Sequence, residues 1–251
     1  MTAELTVRLV GGPTAVIELG GVRLLTDPTF DPPGDHPIGD RVLTKTSGPA
    51  VPAEDLGRVD AVLLSHDQHP DNLDDAGRKL LAGVPVVLTT ELAAQRLGGT
   101  ARALPSWETT AVGPVTVTAV PAQHGPDGTT HLTGPVTGFV LSGDGLPTVY
   151  VSGDNASLDV VRAVAERIGP ADVAVLFAGA ARTPLIDGYL TLTAPDAAEA
   201  AQVLGVRTVV PVHAEGWAHF SQGVDDLVAA YAERGLADRL KVLAPGETAT
   251  V

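Results

Sequence analysis

Histidine and aspartate, the side chains best suited to hold a divalent ion where no thiolate is present, gather in four short stretches of this 251-residue chain. They are SHDQHPDN from Ser65 to Asn72, QHG around His124, GDN around Asp154, and HAEGWAHF from His213 to Phe220. Imidazole offers an uncharged nitrogen and carboxylate an anionic oxygen. An ion held between them acidifies water enough for hydrolysis near neutral pH. The sequence has no cysteine, which excludes thiolate ligation, disulfides and cysteine nucleophiles together. Taken singly, each residue has an ordinary explanation. Paired loop histidines such as His66 and His69 more often cap or solvate than ligate. Asp71 and Asp154 stand where aspartates cap helices, and His124 and His213 suit a turn or a hydrogen-bonded interior. Their shared feature is position, because each stretch follows directly on a β-rich run.

Those runs are Val59 to Leu64, Val115 to Val120, Thr148 to Val151 and Arg207 to Val212. In α/β folds, loops at the carboxyl ends of strands converge on one crevice while the sheet fixes their roots, so distant segments can build one site there. Further strands are read at Leu5 to Val10, Ala15 to Leu19 and Val22 to Leu25, separated by Gly-Gly turns, and at Val84 to Thr89, Val136 to Leu141 and Val173 to Phe177. The closing segments are Lys241 to Ala244 and Thr248 to Val251. Helical spacing covers Leu73 to Gly83, Glu91 to Leu97, Ser157 to Ile168 and Val224 to Glu233, and Thr193 caps a helix running to Gly205. Thr26 to Val51 is too rich in Pro, Gly and Asp for a long regular element, which predicts an ordered loop and a candidate pocket wall. The expectation is one α/β domain over residues 1–251, built from two similar halves, each a sheet with helices on one face.

Composition narrows the function. Hydrophobic residues at 44% and charged residues at 18% exclude a disordered, collagenous or coiled-coil chain. Sixteen basic residues against 30 acidic leave a charge of 16 − 30 = −14, which disfavours nucleic acid as a partner. The opening MTAELTVRLVGG lacks an apolar signal core and no run approaches a membrane span, so a soluble cytoplasmic protein without a membrane partner is expected.

The order SHDxHxDxxD, PAQHG, SGDN and PVHxEGWxHF resembles the metallo-β-lactamase-fold hydrolases, especially the branch of the ascorbate-phosphate lactonase. GGPT at Gly11 to Thr14, TDPTFDP at Thr26 to Pro32, GPVTGFVL at Gly134 to Leu141 and PGE at Pro245 to Glu247 extend the likeness over nearly the whole chain. The resemblance implies a four-layer αββα sandwich with one or two divalent ions at the sheet edge. It implies metal ligands at His66, Asp71, His124, Asp154 and His213. The second histidine of the family motif falls on Gln68 counting from His66 and on His69 counting from Asp71; His69 is preferred. Asn72 stands where the motif's last histidine belongs, and an amide offers only a neutral oxygen. One ion would then see His66, His69, His124 and Asp154, and the other Asp71, Asp154 and His213. Zinc and manganese are the leading candidates, with iron or magnesium plausible at the oxygen-rich second position.

The expected chemistry is hydrolysis of a small ester, lactone or amide, with Asp71 orienting water and His219 donating a proton or holding the oxyanion. The plainer role for His219 is to cap the next helix, with Trp217 and Phe220 as core. Asp27 is expected to hydrogen-bond a histidine or to serve its turn. Lys45, Arg182 and Tyr189 could hold an anion, though solvated loop charges explain them more simply. The competing readings are a phosphodiesterase acting on a small phosphate ester and a non-catalytic binding protein with a degenerate site. A homo-oligomer is possible.

Overall fold

Gly-Gly pairs at 11–12 and 20–21 turn the first β-rich runs into an antiparallel meander of β1 (Thr6–Gly11), β2 (Thr14–Leu19) and β3 (Val22–Thr26). The computed structural model describes residues 4–251. After β3 the Pro-rich stretch folds into a separate hairpin, β4 (Gly34–Ile38) and β5 (Arg41–Lys45), where a wholly irregular loop was expected. Its two-residue Gly39-Asp40 turn explains the difference: Gly39 takes φ +56°, the left-handed backbone such a tight hairpin requires. The chain then returns to the sheet through β6 (Ala61–Leu63), α1 (Asp75–Leu81), β7 (Val87–Thr89), α2 (Glu91–Leu97) and β8 (Ala101–Ala103).

The second half runs β9 (Thr109–Val112), β10 (Val115–Pro121), α3 (Thr130–Thr133), β11 (Thr137–Ser142), β12 (Val149–Val151), α4 (Leu158–Ile168), β13 (Val173–Phe177), α5 (Ala194–Val203), β14 (Thr208–Val212), α6 (Val224–Glu233) and β15 (Thr248–Thr250). Lys241 to Ala244 is not a strand, although the Lys241 amide donates to the Val209 carbonyl. The first sheet has the order β15-β1-β2-β3-β6-β7-β8 and the second β14-β13-β12-β11-β10-β9.

Side-chain alternation builds the layers. Val173, Val175 and Phe177 of β13 join Ile17, Leu24 and Leu63 of the first sheet in one core between the sheets. The alternate residues Ala174 and Leu176 pack on Val161 and Val164 of α4 and the alanines of α5. On the far side, Val62 and Leu64 pack on Leu73 and on Leu81 of α1. A strand buried on both faces reads as a continuous apolar run, as VAVLF does. The result is the mixed α/β, helix–sheet–sheet–helix arrangement that the sequence predicts.

The topology also gathers the site. β12, β13 and β14 are mutually parallel, and β10 shares their direction because it is antiparallel to β11, itself antiparallel to β12. The carboxyl ends of β10, β12 and β14 therefore open at one edge, just before His124, Asp154 and His213. β3 and β6 are parallel in the other sheet and lead to Asp27 and His66.

Candidate metal centre

Support for the site begins with Asp27, buried after β3. Its carboxylate accepts from the Ser65 amide (2.6 Å), the Ser65 hydroxyl (2.5 Å) and the Asn72 amide group (3.0 Å). Because Ser65 spends its hydrogen on Asp27, its oxygen accepts from Nδ1 of His66 at 2.8 Å, leaving Nε2 of that ring with a free lone pair. Asp27 thus reaches a histidine through Ser65, not by the direct bond expected. Burial pushes its pKa up to about 7, against the hydrogen bonds that favour the anion. His124 is oriented in the same way: Nδ1 donates to the Leu190 carbonyl at 2.7 Å, so Nε2 is the free nitrogen.

The free nitrogens meet. His69 Nδ1 lies 2.8 Å from His66 Nε2 and 3.2 Å from His124 Nε2, and a carboxylate oxygen of Asp154 lies 3.6 Å from the latter. One ligand atom from each of His66, His69, His124 and Asp154 falls within 4.8 Å of the others. Gln68 is turned away. Its amide donates to the carbonyls of Thr133 and Pro135 and its oxygen accepts from Arg96, which leaves His69 as the inward residue of the pair.

A second set shares Asp154. Asp71, Asp154 and His213 also present ligand atoms within 4.8 Å of one another, with His213 Nε2 3.2 Å from Asp71 and Nδ1 3.2 Å from Asp154. His219 Nε2 donates to Asp71 at 3.1 Å. His219 therefore belongs to the site and does not cap α6, whose first turn is closed by Asp226 accepting from the Gly223 amide. Trp217 is buried, as expected of core. Asn72 is not a histidine substitute: its amide hydrogens bridge Asp27 and Asp154 at 3.0 and 3.1 Å.

The backbone is strained where these groups converge. Asp27 and His213 adopt positive φ of 24° and 55°, conformations non-glycine residues rarely hold without compensation. Gly153, at φ +56°, sets the turn that delivers Asp154, and a Cβ there would lie 2.5 Å from the Thr137 carbonyl.

The donor set fits a divalent cation. His66 and His124 both face the centre with lone pairs, and one proton on His69 cannot serve both nitrogens. Asp71 Oδ1, Asp154 Oδ2 and both nitrogens of His213 are buried without hydrogen-bond partners, a costly state that a cation would relieve. Burial holds His66 well below its ordinary range and His69 and His124 down at about 4, so these rings are neutral ligands at pH 7. Burial raises Asp154. At Asp71 burial acts in the same sense, but His219 and His213 outweigh it and hold the carboxyl ionised. The carboxylates of Asp154 and Asp71 outweigh burial at His213 and favour its charged form.

Two groups near the site depart from expectation. Lys45 is only 4% exposed and pairs with Asp74 at 3.0 Å, so it is not a solvated loop charge. Asp74 also accepts from the amides of Phe30, Asp31 and Gly77, tying the hairpin to the start of α1. Arg41, which the sequence reading passes over, lines the pocket above the centre beside Arg182. Its signal was the hairpin itself. Among the described residues no helix is long and apolar enough to cross a membrane.

Comparison with known proteins agrees with this geometry. The family model described as the beta-lactamase superfamily domain matches residues 22–214. A UPF0173 metal-dependent hydrolase of Rubrobacter xylanophilus is 33% identical over 257 residues, covering 91% of this chain and 96% of the relative. One of Pyrococcus abyssi is 29% identical, covering 83% and 88%. Among solved structures, an isothiocyanate hydrolase from Delia radicum gut bacteria superposes with a TM-score of 0.84 at 25% identity, covering 97% of this chain and 98% of that one. A possible metal-dependent hydrolase of Veillonella parvula, at 18% identity and TM-score 0.83 with both chains fully covered, shares the fold. The chain belongs to the UPF0173 metal-dependent hydrolases of the beta-lactamase superfamily.

Proposed function

We propose that the protein hydrolyses a small ester, lactone or amide at a centre of one or two ions, zinc or manganese, held by His66, His69, His124 and Asp154 and by Asp71, Asp154 and His213. The observation that carries this reading is the sharing of Asp154 between two donor sets, each within 4.8 Å. A divalent ion bound there supplies acidified water and an electrophilic contact for a carbonyl oxygen. The chain's own residues do the rest. Asp27, through Ser65, and the Leu190 carbonyl fix the tautomers of His66 and His124, so their lone pairs are set before substrate arrives. Asp71 orients water and accepts its proton. His219, on Asp71 and lining the pocket, returns a proton to the leaving group. A lactone suits this site because its leaving group stays tethered, and the resemblance to the ascorbate-phosphate lactonase branch supports that choice.

A second carbon electrophile has its own support: likeness to the isothiocyanate hydrolase, together with the apolar pocket wall of Ile38, Leu43, Leu132 and Ile186. A small-molecule substrate in the cytoplasm and a homo-oligomeric assembly complete the proposal. The test is elemental analysis of purified protein, then a panel of lactones, esters, amides, isothiocyanates and phosphodiesters with zinc or manganese added. Turnover of a carbonyl substrate that chelation abolishes is expected. Turnover of phosphodiesters alone, or of nothing by fully loaded protein, would overturn the reading.

A further inference from the structure

The pocket over the centre is apolar on most of its wall, with Ile38 and Leu43 from the hairpin, Leu132 from α3, and Leu185, Ile186 and Leu190 from the segment between β13 and α5. Two guanidinium groups interrupt it. Arg41 and Arg182 line the same space as His69, Asp71, His124 and His219. In a chain of net charge −14, carboxylates are plentiful, and Arg23, Arg96, Arg162 and Arg207 each take at least one. Among the described residues, Arg41 and Arg182 take none, as is also true of Arg8, Arg102, Arg167 and Arg239, but these are the two arginines that line the pocket over the centre. Arg41 gives a single N–H to the Thr183 hydroxyl at 2.7 Å. The Arg182 guanidinium lies over the Tyr189 ring, 5.4 Å from its centre. The Arg182 amide donates to the His219 carbonyl, fixing this residue beside the chemistry.

We infer that the substrate joins its hydrolysable group to an apolar body bearing a carboxylate, and that Arg41 and Arg182 are the specificity-determining contacts for that carboxylate. The planar fork of a guanidinium matches a carboxylate with two parallel N–H donors. The inference rests on the hydrolase reading above and names its substrate class.

The test measures binding, not turnover. Metal-loaded protein is titrated by calorimetry with 4-phenylbutyrate and with its neutral isostere 5-phenylpentan-2-one. The wild type should prefer the acid by about tenfold or more, and the Arg41→Gln/Arg182→Gln double variant should lose about tenfold of that preference, the worth of a charge-assisted hydrogen bond. Any preference due to the ion is common to both proteins and cancels in the comparison. Elemental analysis and thermal unfolding show that the variant is loaded and folded, and the single variants are read in parallel should the double variant unfold. An unchanged preference in the loaded variants, or equal binding of acid and ketone by the wild type, would overturn the inference. Absence of turnover across the carbonyl panel with the acid preference intact would instead overturn the hydrolase reading.

Discussion

The two sides of the centre solve the same problem differently. On the nitrogen-rich side, His66 and His124 are each fixed from behind by a neutral partner, the Ser65 hydroxyl and the Leu190 carbonyl, and burial keeps the rings uncharged. Their lone pairs converge on His69, whose one proton cannot serve both. On the oxygen-rich side, His213 contacts Asp71 and Asp154 directly, and the two carboxylates favour its charged form. That side can balance its own charge with a proton, and the first cannot. The first position is therefore built for an ion, whereas the second must exchange a proton for one.

Perturbations rank by how much of this contrast they remove. Asp154→Ala takes a ligand from both sets, so both ions should be lost on gel filtration, as read by elemental analysis; retention of both would break the shared-ligand account. Lys45→Met leaves Asp74 buried without its cation and should cost about 3–5 kcal/mol in denaturant unfolding, loosening hairpin and site loop together. Asp27→Asn strikes the support behind His66, and with it the Asn72 link to Asp154, and should weaken the first ion by about 10–100-fold in a chelator competition. Acid should sharpen the contrast. His213 has a raised pKa, so as pH falls through it the second ion competes with a bound proton, losing up to about tenfold in affinity per pH unit. His69 and His124, with pKa values of about 4, take up no proton over the same range, so the first ion meets proton competition only through the shared Asp154 and weakens less than the second. Metal stoichiometry measured from about pH 8 down to about pH 5.5 should therefore fall from two toward one. Gln68→Ala should change neither affinity, since that side chain binds Thr133, Pro135 and Arg96.

Most of the site was legible because it follows strands whose apolar runs are unmistakable. VDAVLL and RTVVPV announce buried strands, and the residues that follow such runs fall at one sheet edge on that reading alone. What escaped was set by tertiary partners. The hairpin was hidden by Pro37 inside β4 and by strands that face mostly outward, so no alternation marked it. β8 and β9 are short and largely exposed, with the same result. Lys45 looked solvated because Asp74, 29 residues away, could not be seen to cover it. The choice between Gln68 and His69 turned on Arg96 and on the carbonyls of Thr133 and Pro135, which hold the amide aside. Asn72 looked like a damaged ligand; in place, it links the support at Asp27 to the shared carboxylate at Asp154.

The most direct test is anomalous diffraction from crystals of the manganese-loaded protein at pH 8. Two peaks are predicted with Asp154 between them, one contacting His66, His69 and His124 and the other contacting Asp71 and His213. A peak ligated by Gln68 in place of His69, or bound manganese away from Asp154, would contradict the account.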